Sequence, residues 1–218
     1  GRTDGAARRW LLDPIDGTKG FLRGGQYAVA LALAEEGRFV VAVLACPNLP
    51  VQSLDSNSDV GSLFFAVAGQ GSQVQPLEGG TATPVRVSQC RDPAEALVCE
   101  SLESAHTAHD RSAAVQQRLG VTRRALRLDS QAKYALVARG EADVYLRLPS
   151  DPQYREKVWD HAAGALLVEQ SGGTVTDVNG QPLDFTVGRR LEKNCGVVVT
   201  NGLLHDGVLQ AIRQVGVE

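Results

Sequence analysis

The chain has 218 residues, 43% of them hydrophobic and 22% charged, enough apolar material to bury a full core in one large or two small domains. Its formal net charge of -3 excludes the bulk basicity that nucleic acid or an anionic membrane demands, leaving room only for a local basic pocket. No apolar run approaches the ~20 residues of a membrane span, and Cys46, Cys90, Cys99 and Cys195 show neither a CxxC pair nor metal-ligand spacing with histidine. Reduced core thiols in an intracellular, reducing compartment are expected, cytoplasm or organelle (plastid, mitochondrion) alike; nothing specifies a protein partner.

In chain order, Trp10-Leu11-Leu12 is a short apolar run that breaks at Asp13-Pro14, so it reads as a buried strand handing Asp13 to a turn. Tyr27 to Leu33 and Phe39 to Leu44 are strand-like, and Glu35-Glu36-Gly37-Arg38 between them supplies a hairpin loop. Leu63 to Val67, closed by Gly69-Gln70-Gly71, continues that sheet. The stretch from Gln75 to Pro84, with Gly79-Gly80 and two prolines, marks the expected boundary between a first unit, 1–83, and a second, 84–218. In the second unit strands and helices alternate: Val85 to Val87, Ala96 to Cys99, a helix over Asp110 to Leu119, Leu126 to Leu128, a helix over Gln131 to Arg139, then Val144 to Leu148. A helix from Trp159 to Ser171 follows, entered at Asp160 and stopped by Gly172-Gly173. Strands at Thr174 to Val178 and Gly196 to Val199 and a last helix ending near Val215 complete an α/β fold.

Asp13-Pro14-Ile15-Asp16-Gly17-Thr18 sets two carboxylates three residues apart on a turn after a strand. Hard cations such as Mg²⁺ take several oxygen ligands, which converging carboxylates and a turn carbonyl supply, and the Gly17 and Thr18 amides suit an oxyanion. Asp-Pro and Asp-Gly are also ordinary turn formers, and the hexapeptide alone does not separate the two readings. A covalent route through an aspartyl phosphate needs a nucleophilic Asp, one spacer and then Asp-Gly-Thr, and here Pro14 stands where the nucleophile would be. Metal-activated water is the route left. Asp160 reads equally as a helix N-cap, worth about 0.5–2 kcal/mol. Lys133, a point charge, and Arg147, a planar fork, read alone as solvated surface cations.

Four blocks occur in order: DPIDGTKGFLRGGQY (Asp13 to Tyr27), LDSQAKY (Leu128 to Tyr134), ADVYLRLP (Ala142 to Pro149) and KVWDHAAG (Lys157 to Gly164). Together they resemble the inositol-monophosphatase-like, lithium-sensitive phosphatases, and within these the 3′(2′),5′-bisphosphate nucleotidase branch, from Trp10 almost to the end of the chain. The resemblance implies a layered α/β/α/β/α sandwich with metals between two lobes, the second lobe carrying the nucleotide-binding residues and the last metal ligand. It implies Mg²⁺, two or more ions, on Asp13, the Ile15 carbonyl, Asp16 and Asp160. Thr18 would position the attacking water or the phosphate; Gly17, Ser130, Lys133 and Arg147 would hold substrate. His106 matches a residue beside the nucleotide, with His109 as the alternative, and Lys19 and Arg23 stand as structural or turn-capping members of their block. The substrate implied is a nucleoside bisphosphate, adenosine 3′,5′-bisphosphate and then its sulfated form, cleaved to AMP and phosphate in sulfur metabolism. The alternatives are an inositol phosphate phosphatase and a non-catalytic nucleotide-binding module.

The chain contains no Met, so Gly1 is not the expected natural start. Relatives of this kind carry an upstream Glu-Glu pair and further acidic groups, which nothing before Asp13 matches; Asp4 lies too close to Asp13. The expectation is a truncated first lobe, with Leu11, Val29, Leu31 and Val41 short of apolar cover, and little or no turnover by residues 1–218 alone.

Overall fold

The computed structural model describes residues 8–56, 60–103, 108–151 and 153–217. Strands β1 (Arg8–Asp16), β2 (Ala28–Glu35), β3 (Arg38–Pro50), β4 (Val60–Val67), β5 (Gly71–Pro76) and β6 (Thr83–Val85) form one antiparallel sheet in that order, with the short helix α1 (Thr18–Leu22) between the first two. Alternation sorts its residues: Ala28, Ala30, Ala32 and Ala34 of β2, with Ala42, Leu44 and Cys46 of β3, are buried on one face. Their small side chains let a helix come close. Leu11 pairs with Ala32 and packs, half-buried, on this inner face. Its neighbours Trp10 and Leu12, paired with Leu33 and Leu31, are the exposed ones, at 59% and 53%. Val29, Leu31 and Val41 are half-buried.

Strands β7 (Val98–Ser101), β8 (Leu126–Leu128), β9 (Val144–Arg147), β10 (Thr174–Thr176) and β11 (Val197–Thr200) make a second, mixed sheet in the order β10-β11-β9-β7-β8. Within it β7 runs parallel to both β8 and β9. Helices α3 (Ala132–Ala138) and α4 (Ala162–Gln170) fill the space between the sheets, while α2 (His109–Leu119) and α5 (His205–Val215) cover the far side of the second. The two-residue period of the strands shows in the cores: Cys99, Tyr145, Val197 and Val199 face α3 and α4, whereas Val98, Val144, Leu146 and Val198 face α2 and α5. A Cβ at Gly164 would overlap the Tyr134 ring, so glycine is what lets α4 lie against α3. Among the described residues the layers run sheet, helix pair, sheet, helix pair; the outer helical layer that would make five is not among them.

Three expectations need correction. Pairing does not stop at Asp13: it passes Asp13 with Ala30, skips an irregularity, and resumes at Asp16 with Ala28. A bulge of this kind accommodates Pro14, which has no N–H for the ladder. Val85 pairs with Ser72 and closes the first sheet, rather than opening a strand Val85 to Val87 in the second. Asp160 ends a 3₁₀ turn, Val158–Asp160, and α4 begins only at Ala162, with His161 at its N-cap and no side chain from that residue capping it.

Candidate active site

The C-terminal end of β1 meets the C-terminal ends of the parallel strands β7, β8 and β9 around one cavity of ≈ 260 Å³. Loops at strand carboxyl ends are where an α/β sheet presents itself to ligands. Asp13, Ile15 and Asp16 line it from β1, Gly17 and Thr18 from the start of α1, Ser130 and Lys133 from beyond β8, Arg147 from β9, and Asp160 from the 3₁₀ turn. His106 lies outside the described residues. His109 is not among those lining the cavity; its Nε2 meets the Ser101 carbonyl at 2.9 Å.

One wall is anionic. Asp13 Oδ1 accepts the Ile15 N–H at 3.2 Å, and the Ile15 carbonyl accepts the Thr18 hydroxyl at 3.2 Å, with one lone pair remaining. Asp16 Oδ2 accepts the Gln131 N–H at 2.5 Å. Burial, reinforced by the charges of Asp16 and Asp160, pushes Asp13 up to about 6. Burial also raises Asp160, opposed by His161 and Arg147. Oxygen donors held in mutual repulsion are what a hard divalent cation relieves, so this wall fits Mg²⁺. Among the described residues, though, the trio whose ligand atoms all lie within 4.8 Å is Glu156, Asp160 and His161, not the three aspartates. That trio is already engaged: Glu156 Oε2 takes Arg147 Nη2 at 2.6 Å, and His161 Nδ1 meets the Tyr134 hydroxyl at 2.7 Å. A guanidinium so close opposes a second cation there. The aspartates share a wall without closing a cage.

The raised Asp13 makes a signed prediction. Between its ordinary 3.8 and about 6 the folded chain binds more protons at this group than the unfolded one, so its contribution to stability falls as pH rises through that window. In chelator-treated buffer, wild type should lose stability relative to Asp13→Asn between about pH 4 and pH 6, by on the order of 1 kcal/mol once solvent screening is discounted. Parallel melting profiles for the two proteins would show that Asp13 does not sit among the other carboxylates.

Two buried cations line the same cavity. Lys133 is 3% exposed, donates from Nζ to the Leu128 and Ser130 carbonyls at 3.0 and 2.7 Å, and is lowered by burial to about 8. An ammonium has three donors, so one remains for the cavity. Arg147 Nη2 lies 2.6 Å from Glu156 and 3.8 Å from Asp160, while its buried Nε has no partner. Ser130, also in the lining, holds the left-handed φ of +68, a strained state for a side-chain-bearing residue. Gly17, at φ +79, approaches it so closely that a Cβ would meet Ser130 Cβ at 2.9 Å. Only glycine lets these two loops close on each other.

Lys19 and Arg23 were read as members of their block; Glu103, Asp129 and Gln131 were not singled out from sequence. Lys19 Nζ binds Glu103 at 2.8 Å, and Arg23 bridges Glu103 and Asp129 at 2.6 and 2.7 Å. These cations therefore tie α1 to the ends of β7 and β8, and their hydrogen bonds, Arg23 first, hold Glu103 down to about 2. Gln131 joins Asp16 to the head of α4: besides its backbone bond, Nε2 donates to the Trp159 carbonyl at 3.0 Å and Oε1 accepts the Gly164 N–H at 3.1 Å. Both Asp129 and Gln131 lie inside the block Leu128 to Tyr134, but their residue types read as solvated polar groups.

A family model described as the inositol monophosphatase family matches residues 2–216. Two curated relatives bear the name 3′(2′),5′-bisphosphate nucleotidase. The Emericella nidulans protein is 49% identical over 95% of this chain and 63% of its own length; the Oryza sativa protein is 47% identical over 98% and 62%. The chain thus spans a little over three-fifths of these relatives. Among solved structures, a Thermotoga maritima IMPase matches with a TM-score of 0.72 at 25% identity, covering 97% of this chain and 71% of that one. No helix among the described residues is long and apolar enough to cross a membrane.

Proposed function

The chain belongs to the inositol monophosphatase family, and from that premise we propose that it is the site-bearing part of a metal-dependent phosphatase that cleaves the 3′-phosphate from adenosine 3′,5′-bisphosphate. The products are AMP and phosphate. The observation that carries this reading is the lining of the cavity, where Asp13, Asp16 and Asp160 occur together with the buried cations Lys133 and Arg147. A bisphosphate has two anions to place, one for the carboxylate-held metal and one for the cations; a polyol monophosphate gives the buried cations nothing to hold.

Asp13, the Ile15 carbonyl, Asp16 and Asp160 would hold Mg²⁺, in two or more ions, which when bound supplies charge neutralisation at the phosphoryl oxygens and an activated water. Lys133 and Arg147 fix the 5′-phosphate, so the ester at the 3′ position is carried to the carboxylate wall. Thr18 spends its proton on the Ile15 carbonyl and keeps lone pairs to orient the attacking water. Ser130 presents its hydroxyl beside the phosphate, and His106 is assigned to the nucleotide. Residues 1–83 then act as the metal-binding lobe and 84–218 as the nucleotide lobe. A sulfate on the 5′-phosphate lies away from the bond that breaks, so the sulfated nucleotide is a second substrate.

Phosphate release is to be measured at saturating Mg²⁺ for residues 1–218 and for a form extended by any coding sequence that precedes Gly1. The extended form should prefer adenosine 3′,5′-bisphosphate over inositol 1-phosphate by at least about tenfold in kcat/KM, or ~1.4 kcal/mol. Residues 1–218 alone should turn over slowly, because three aspartates on one wall leave a two-metal centre incompletely held. Equal or better turnover of inositol phosphate would remove the nucleotide assignment, and nucleotide binding without turnover in either form would leave a binding module.

A further inference from the structure

Glu156 is a buried charge with no part in the chemistry above. It lies in the irregular segment between β9 and the 3₁₀ turn, yet is only 6% exposed. Its Oε2 takes Arg147 Nη2 at 2.6 Å and lies 3.4 Å from His161 Nε2, while the other ring nitrogen of His161 meets the Tyr134 hydroxyl at 2.7 Å. A connected chain therefore runs from α3 through the head of α4 to Glu156 and on to β9. The same Arg147 Nη2 has a second carboxylate 3.8 Å away, and that is Asp160. Two anions compete for one guanidinium nitrogen, and the nearer one, anchored by a buried histidine, holds it.

We propose that Glu156 is a positioning residue that keeps the Arg147 guanidinium off Asp160. Asp160 thereby stays available to the other carboxylates of the cavity, and Arg147 keeps its place in the cavity lining, where it can meet an anion. This assignment rests on the reading of the cavity given above. Without the Glu156 charge, Arg147 becomes a buried cation whose nearest remaining carboxylate among the described residues is Asp160, and a buried charge left uncompensated draws in whatever counter-ion it can reach. Glu156 is not among the residues that line the cavity; it acts through Arg147.

The test is the crystal structure of Glu156→Gln, with Mg²⁺ and AMP binding by calorimetry. In the variant, the Arg147 to Asp160 separation should close from 3.8 Å to a direct charge-assisted bond of about 2.8 Å. Affinity for Mg²⁺ and for AMP should each fall by about tenfold or more, the size typical of losing an outer partner of a ligand. Removing both charges in Arg147→Gln/Glu156→Gln should restore Mg²⁺ affinity to within about threefold of wild type but leave AMP affinity low, a split that general damage to the fold does not produce. Glu156→Asp, which keeps the charge, should preserve the separation and serves if the Gln variant does not fold. An unchanged separation in Glu156→Gln, or a double variant that binds Mg²⁺ no better than the single one, would overturn the proposal. If wild type shows no AMP affinity at all, the nucleotide reading fails, and the Arg147 to Asp160 distance still judges Glu156.

Discussion

Asp160→Asn is expected to lower turnover of adenosine 3′,5′-bisphosphate by at least about 100-fold, because an amide is a far weaker ligand for a hard cation than a carboxylate. The fold should tolerate the change. Asp160 caps no helix: α4 starts after it, and the amide of its third residue, Gly164, is taken by Gln131 Oε1 at 3.1 Å. Loss of the charge removes a distant partner of Arg147 at 3.8 Å but also relieves the repulsion that Asp160 exerts on Asp13. These effects oppose each other, so the melting temperature should move by less than about 4 °C, or ~1 kcal/mol for a chain of this size. Near-normal turnover with unchanged stability would take Asp160 out of the site.

Lys133→Met should raise KM for adenosine 3′,5′-bisphosphate by about 30- to 100-fold, the equivalent of losing one charge-assisted contact of about 2–3 kcal/mol. With adenosine 3′-monophosphate, which lacks the phosphate assigned to Lys133, KM should change by less than about threefold. Some stability will be lost as well, since the ammonium now satisfies the Leu128 and Ser130 carbonyls inside a buried segment. That loss affects both substrates alike, so the ratio of the two KM changes isolates the contact. Equal losses on both substrates would place Lys133 in the scaffold and not at the 5′-phosphate.

What was legible in the sequence is what is decided within a few residues. Asp13, Ile15, Asp16, Gly17 and Thr18 come from one turn, and local bonds such as Ile15 N to Asp13 and Thr18 to the Ile15 carbonyl shape it. The strands and helices of the second half were readable because apolar runs as clean as Val197 to Val199 belong to buried strands. The misses were settled at a distance. β5 went unnamed because its inward positions are Ser72 and Val74 between outward glutamines, and Ser72 is buried only because its hydroxyl reaches the Leu167 carbonyl at 2.8 Å. Asp160 looked like a cap because the true partner of the α4 amides, Gln131, lies 33 residues from Gly164. Glu156 gave no signal at all: its meaning depends on Arg147 and His161, which other elements bring to it.

The central claim is that this cavity places the 3′-phosphate on the carboxylate wall and the 5′-phosphate on Lys133 and Arg147. Phosphorus NMR of adenosine 3′,5′-bisphosphate incubated with the extended form and Mg²⁺ tests that orientation directly, since the two phosphates are distinguishable and each product retains one of them. The expected result is loss of the 3′ resonance with growth of inorganic phosphate and 5′-AMP, abolished by Asp160→Asn. Accumulation of 3′-AMP would show the nucleotide bound the other way round, with Lys133 and Arg147 on the phosphate that reacts, and would contradict the assignment of both walls.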